Sequence, residues 1–411
     1  MTTPNLMWAY PWDLLDEGIG PALDRMQTRA KVTDVAVTTV YHAGKFLHPN
    51  NPRRKIVFPE SGTLYFPPDR SWYGRQRITP PVWPEAQTHD FWPALRHETA
   101  LRGMGLTAWA LCLHNSGIGS EHLDCTVQNA FGDRLRTDLC AAHPDVGDYL
   151  TAVMRDIAAS RQVDRILLES LEFMPFQHGF HHEVIGVPVG PTMGLLMALC
   201  FCEHCLRAAR QDGVDGSAVR RWVVDELDDH FADPFAHDPP HWSWDELRAA
   251  ANGQLGRFLD VRERLVSDLT RRVVTAIRDA SDCTIAALDF GPLYPHGPDE
   301  TRWESGADVA VLAELVDEIH PTFYFTDPEI HAEKVRTYVE MLGGRMPMHP
   351  AIRAILPQTD SPQALAAQLA PLAGHVEGVS FYNYGFMARQ TLDWIGSAIE
   401  GIEPQRPKET T

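Results

Sequence analysis

The residues best suited to chemistry lie between positions 164 and 205. Asp164-Arg-Ile-Leu-Leu-Glu-Ser-Leu-Glu-Phe173 sets a carboxylate, Glu169, at the far end of a short run of Ile and Leu. Apolar neighbours shift the proton affinity of such a group, and a carboxyl kept protonated by burial is a general acid. Behind it come His178, His181, His182 and Glu183, and then Cys200-Phe-Cys202-Glu-His-Cys205.

That cysteine spacing can supply three thiolates to one tetrahedral zinc, with the fourth ligand from elsewhere. Cys140 is the first choice for it, Cys125 the second and His204 the third. Such a site is structural, because a closed coordination sphere leaves no position for substrate, and catalysis then requires no cofactor. The histidine run reads in two ways. It is a polar loop over the site in which His178 or His182 bonds substrate, or it holds a catalytic metal as in metal-dependent sugar isomerases and lyases.

These groups need a frame, and apolar runs alternating with amphipathic stretches supply one. Strands are expected at Leu6–Tyr10, Val32–Val40, Leu106–Leu113, Asp164–Phe173, Cys283–Asp289, Ile319–Phe325, Met346–Ala354 and Gly378–Tyr384, with helices between them. Eight such steps favour a closed α/β fold, a (β/α)8 TIM barrel, and no Gly-x-Gly-x-x-Gly follows the first strand to suggest a dinucleotide fold. Insertions fall after strands 2, 3 and 4. One domain is expected over residues 1–403, with a loop excursion at 44–93, a small hairpin near Gly62, a helical insertion at 200–280, and a frayed tail at 404–411.

In such barrels the site lies at the C-terminal ends of the strands. The polar and aromatic residues there are Tyr10, Trp12 and Asp13, Tyr41 and His42, His114 and Asn115, Glu169 and Glu172, Asp289, Tyr324 and Asp327, His349 and Arg353, and Tyr382, Asn383 and Tyr384. Rings that stack on C–H faces, mixed with amides and carboxylates that grip hydroxyls, suit a small carbohydrate. Trp8 and Trp109, inside strands, are expected in the core. Glycoside cleavage needs two carboxyl groups, about 5–9.5 Å apart depending on stereochemical outcome. Glu169 is the expected acid and Asp289 the nucleophile or base, with Glu172 a competitor for the first position.

Totals narrow the partners. The chain of 411 residues carries 55 acidic against 36 basic residues, a formal charge of −19 that disfavours nucleic acid and anionic membrane. No apolar run approaches membrane-spanning length, and seven cysteines, three of them clustered, suit a reducing compartment; a cytoplasmic protein is expected. The long excursion is compatible with a homo-oligomer.

The chain resembles the clan of (β/α)8 glycoside hydrolases that includes the family 42 β-galactosidases. Those enzymes carry a carboxylate on the fourth strand followed by a zinc-binding Cys-x-Cys-x-x-Cys, here Cys200, Cys202 and Cys205. An earlier Cys ahead of a Pro completes their site, and Leu139-Cys140-Ala-Ala-His-Pro144 is similar to that segment. The resemblance implies the acid/base position for Glu169. Two departures stand out: Leu168 occupies the place of the family's Asn, and the seventh strand offers His349 and Arg353 where the family has its nucleophilic Glu. The chain is also similar to bacterial glycosidase-like barrel proteins, which imply no particular sugar. The expected activity is therefore glycoside hydrolysis, against a metal-dependent isomerase or lyase and a barrel that binds sugar without turnover.

Overall fold

The structure, a computed structural model, describes residues 4–74, 76–88, 90–177, 183–238, 240–293 and 304–402. Eight parallel strands form a barrel: β1 (Leu6–Ala9), β2 (Asp34–Tyr41), β3 (Gly105–Leu111), β4 (Arg165–Glu169), β5 (Thr284–Asp289), β6 (Glu318–Phe323), β7 (Ala351–Arg353) and β8 (Ser380–Tyr382). β1 pairs with both β2 and β8, which closes the cylinder. Helices including Ile19–Arg29, Phe91–Leu101, Pro144–Ser160, Gln254–Arg278 and Pro328–Leu342 form the outer layer. The expected α/β TIM barrel is the observed one.

Several strands stop earlier than their apolar runs. Ser170 adopts φ 52°, a left-handed conformation that ends β4 directly after Glu169. Pro347 and Pro350 precede β7 and leave it three residues, because proline cannot donate to a sheet ladder. Within the helical insertion, Trp244–Ala249 is separated from Gln254–Arg278 by a break at Asn252 and Gly253, both at positive φ.

The excursion after β2 holds a hairpin, Phe46–Leu47 against Ile56–Val57, and a short strand, Thr63–Leu64, that runs antiparallel to the end of β2. Gly62 leads into that added strand rather than forming a hairpin tip. After β3 comes a second hairpin, Thr126–Gln128 against Arg134–Leu139. After β4, helices Pro191–Ala198, Glu203–Gln211, Gly216–Ala232 and Trp244–Ala249 pack around a satellite core of Leu196, Leu199, Val223, Leu227 and Phe258. No single described helix is long and apolar enough to cross a membrane.

Closure forces alternate side chains inward, and the N-terminal end of the lumen is filled by charge. Arg165 donates two bonds to Glu318, at 2.7 and 3.1 Å, and reaches Asp34 at 3.3 Å and the Thr107 hydroxyl at 3.2 Å. Asp34 fits because residue 105 is glycine; a Cβ there would lie 2.1 Å from its Oδ1. His320 and His349 stack with ring centroids 5.1 Å apart, and Glu318 lies 3.6 and 4.0 Å from their Nε2 atoms. His349, expected at the mouth, therefore sits at the opposite end of the barrel, since it precedes β7 rather than following it.

Burial and the neighbouring His320 push His349 down to about 3 from 6.5. Glu318 is held well below the usual carboxylate range: burial raises it, but the His320 and Arg165 contacts outweigh that. For both groups the unfolded chain binds more protons, so their stabilisation is present above the unfolded values and lost as pH falls. Urea unfolding followed against pH should show stability declining from about pH 6.5 downward, steepest below about 4.5. Arg165→Met should cost about 3–5 kcal/mol by leaving two buried carboxylates unpaired, measured at neutral pH.

Candidate active site

At the other end of the lumen the filling is aromatic. β3 and β4 are in register with Trp109 beside Leu167 and Leu111 beside Glu169. Trp109 Nε1 donates a short hydrogen bond to Glu169 Oε2. Trp109 also packs against Trp8 at 4.8 Å and meets Tyr41 edge-on at 4.7 Å. Its core placement agrees with the sequence, but its N–H serves the carboxylate, a role that alternation alone did not reveal.

Three phenols converge above. The Tyr382 hydroxyl lies 3.2 Å from that of Tyr10 and 3.1 Å from that of Tyr41. Tyr324 faces Tyr382 at 6.1 Å, and the Arg353 guanidinium lies 5.9 Å over the Tyr324 ring. Ionised Glu169 raises the phenol values of Tyr41, Tyr324 and Tyr382, although burial contributes more in each case. The structure thus gathers Glu169, Tyr10, Tyr41, Tyr324, Arg353 and Tyr382 from the expected set and adds Trp109. Trp12 stacks on Tyr10 at 4.5 Å, and its indole N–H donates to His48 at 3.3 Å. His42 and His114 stack 5.1 Å apart beside Tyr41.

Burial raises Glu169 to about 7, partly offset by the indole N–H. Glu172, 5% exposed, accepts no hydrogen bond from any described residue. Burial pushes it well above the carboxylate range, and the charges of Asp289 and Glu169 push it further. Its proton affinity therefore responds to the charge on both of the other acids.

Asp289 does not share the lumen face with Glu169. The pairing of Ala287 with Leu168 puts Leu288, not Asp289, level with Glu169. Ala286 and Leu288 join the inner aromatic cluster, while Asp289 turns toward the helix layer. There it accepts a short bond from the Tyr338 hydroxyl and one of 2.9 Å from the Gly291 amide. Burial raises it, and these two donors oppose the rise.

Two further expected residues have other work. Asn115 caps helix Ser116–Glu121, accepting from Ile118 N at 3.0 Å. Tyr384 lies outside the barrel, where its hydroxyl accepts from Arg25 at 3.1 Å and donates to Glu17 at 2.9 Å. His178 and His182 lie outside the described residues, as does the 404–411 tail.

Cys140, Cys200, Cys202 and Cys205 are buried, unbridged, and close enough for one ion. The Cys140 sulfur lies 3.7, 3.6 and 3.5 Å from those of Cys200, Cys202 and Cys205. Four bonds of about 2.3 Å at tetrahedral angles put sulfurs about 3.8 Å apart, so the donor set fits zinc. Of the alternatives for the fourth ligand, Cys125 is drawn instead toward Arg77, at 2.7 Å, and His204 packs on His143 at 4.4 Å.

No protein-family profile matches the sequence, and no curated protein is similar to it. Solved structures share its fold. The glycoside hydrolase domain of PgaB (BpsB) from Bordetella bronchiseptica aligns over 93% of this chain and 94% of its own, with a TM-score of 0.56 and 14% identity. The catalytic domain of β-amylase from Paenibacillus polymyxa covers 98% and 100%, at 0.55 and 9%. The β-galactosidase from the psychrophilic Marinomonas ef1 covers 97% of this chain and 59% of its own, at 0.56 and 11%. At these identities the likeness is one of fold.

Trp109→Phe removes the donor that lowers Glu169. The Glu169 titration, followed by carboxyl carbon NMR, should move upward from about 7; an unchanged or lower value would contradict the assigned bond.

Proposed function

We propose that the protein is a glycoside hydrolase acting on a small glycoside or oligosaccharide, with Glu169 as proton donor. The observation that carries this reading is a buried carboxyl at the C-terminal end of a barrel, bonded to an indole and ringed by phenols, whose burial raises it to about 7. Near neutrality such a group is poised to give its proton to a leaving oxygen and to take one back. Tyr324 and Tyr382, the partly exposed phenols, can donate to sugar hydroxyls and offer ring faces, with Tyr10 and Tyr41 buried behind them. The glycoside hydrolases among the structures of shared fold support the same reading.

The partner carboxyl is Glu172 in this reading, in place of the expected Asp289. Glu172 lies on the same segment as Glu169, and its proton affinity depends on the charge of Glu169. Two carboxyls coupled in this way titrate as a pair, so that their protonation steps belong to the pair rather than to either residue.

Zinc on the four cysteines would cross-link the loop after β4 to the hairpin after β3 and leave the C-terminal end of the lumen around Glu169, the cup, to the acids. The substrate is a neutral saccharide rather than a nucleic acid, and the setting is the cytoplasm.

A screen of aryl glycosides should reveal hydrolysis, and Glu169→Gln should lower kcat/KM by about 10²-fold or more. Activity should fall as pH rises above about 7, because the acid must be protonated. Glu172→Gln should match that loss while Asp289→Asn costs less; the reverse order would return the partner role to Asp289. Metal analysis should find about one zinc per chain, lost with stability in Cys202→Ser and retained in Glu169→Gln.

A further inference from the structure

A concave site lies apart from the acids. The excursion after β2 encloses a cavity of about 350 Å³ whose lining includes Trp12, Arg54, Thr63, Tyr65 and Trp83. None of the three acids lines it. Ligand pockets span roughly 300–1,000 Å³, which puts this one at the size of a single small ring.

Its walls are built rather than incidental. Leu64 N donates to Pro81 O at 2.8 Å and Trp83 N to Leu64 O at 2.9 Å, binding the two sides together. Three rings make a corner: Trp12 to Tyr65 at 5.4 Å and 66°, Tyr65 to Trp83 at 5.6 Å and 59°, Trp12 to Trp83 at 6.5 Å and 74°. Arg54 is held in place by Asp16, at 2.6 and 2.9 Å, and by Glu85 at 3.2 Å. The Thr63 hydroxyl, in a residue only 4% exposed, has no hydrogen-bond partner among the described residues. A buried hydroxyl left unpaired costs free energy that a bound ligand can recover. At the rim, Ile56 and Phe58 stay exposed, at 43% and 67%, as apolar side chains do where a ligand covers them.

We infer that this cavity binds one pyranose unit of a saccharide, separately from the acids. The partly exposed Trp83 ring, backed by the buried Trp12 and Tyr65 and set beside a fixed guanidinium and an unpaired hydroxyl, matches a sugar, which presents C–H faces and hydroxyls on the same ring. Trp12 is the shared wall: it lines the cavity and also stacks on Tyr10 of the cup. A chain of sugars entering the cup would thus meet this site at its edge. The choice of ligand class rests on the carbohydrate reading; the existence of the site does not.

The test uses the full chain carrying Glu169→Gln, so that nothing is turned over. Saturation-transfer NMR with methyl glucoside, methyl galactoside and methyl N-acetylglucosaminide, at millimolar concentration, should show transfer to the ring protons of at least one. Thr63→Val and Trp83→Ala should each weaken that binding about tenfold or more, and Phe58→Ala more modestly; Thr63→Val keeps the shape of the side chain and guards against misfolding. No transfer from any of the three sugars, or transfer unchanged in both Thr63→Val and Trp83→Ala, overturns the inference. Binding that depends on Thr63 and Trp83, in a protein whose unmutated form cleaves no glycoside, would sink the hydrolase reading and leave this one standing.

Discussion

A closed cylinder of parallel strands sends every second side chain into a narrow lumen, and what fills that lumen decides what the protein can do. Here the filling changes character along the axis. At the N-terminal end Arg165 gathers Glu318 and Asp34 into a saturated ionic plug. At the C-terminal end Trp109 and the phenols leave Glu169 a single directed donor. Charges that are neutralised in pairs serve stability, whereas a carboxyl set apart with its proton affinity raised serves chemistry. The same strand, β4, supplies both Arg165 and Glu169, so its register positions the plug and the acid together.

The barrel was legible because its period is coarse: eight apolar runs separated by amphipathic helices survive errors of several residues at each end. The side on which a particular residue falls does not survive them. Asp289 was expected in the cup, but one step of alternation turns it to Tyr338, a partner 49 positions away that no local pattern announces. His349 was misplaced for a related reason, since a seventh strand drawn through Pro347 and Pro350 puts its end in the wrong place. The four-cysteine set was readable because thiols clustered in sequence carry their spacing openly. The role of Trp109 was not, since nothing separates an indole that only packs from one whose N–H meets a carboxylate except the strand beside it.

The insertion after β4 is more than an appendage. Arg262, on the long helix Gln254–Arg278, donates to the carbonyls of Ala198 and Glu304 and lies 4.2 Å over the ring of Phe173. One guanidinium thus joins the approach to the cysteine loop, the segment before the helix layer resumes, and the residue next to Glu172. Its burial leaves these elements little freedom to move separately. The positive φ of Ser170 acts nearby, turning the chain so that Glu172 leaves the line of the strand and comes under the influence of Asp289.

The three converging hydroxyls of Tyr10, Tyr41 and Tyr382 have a consequence of their own. Each phenol has one hydrogen to point, and the central oxygen touches both of the others, so the rotors are not independent. If Tyr382 turns its hydrogen outward to a guest, its oxygen is released to accept from both neighbours, and all three orientations settle at once. A guest oxygen is then recognised by a polarised relay rather than by one isolated contact, and the cup answers to where a single acceptor is presented.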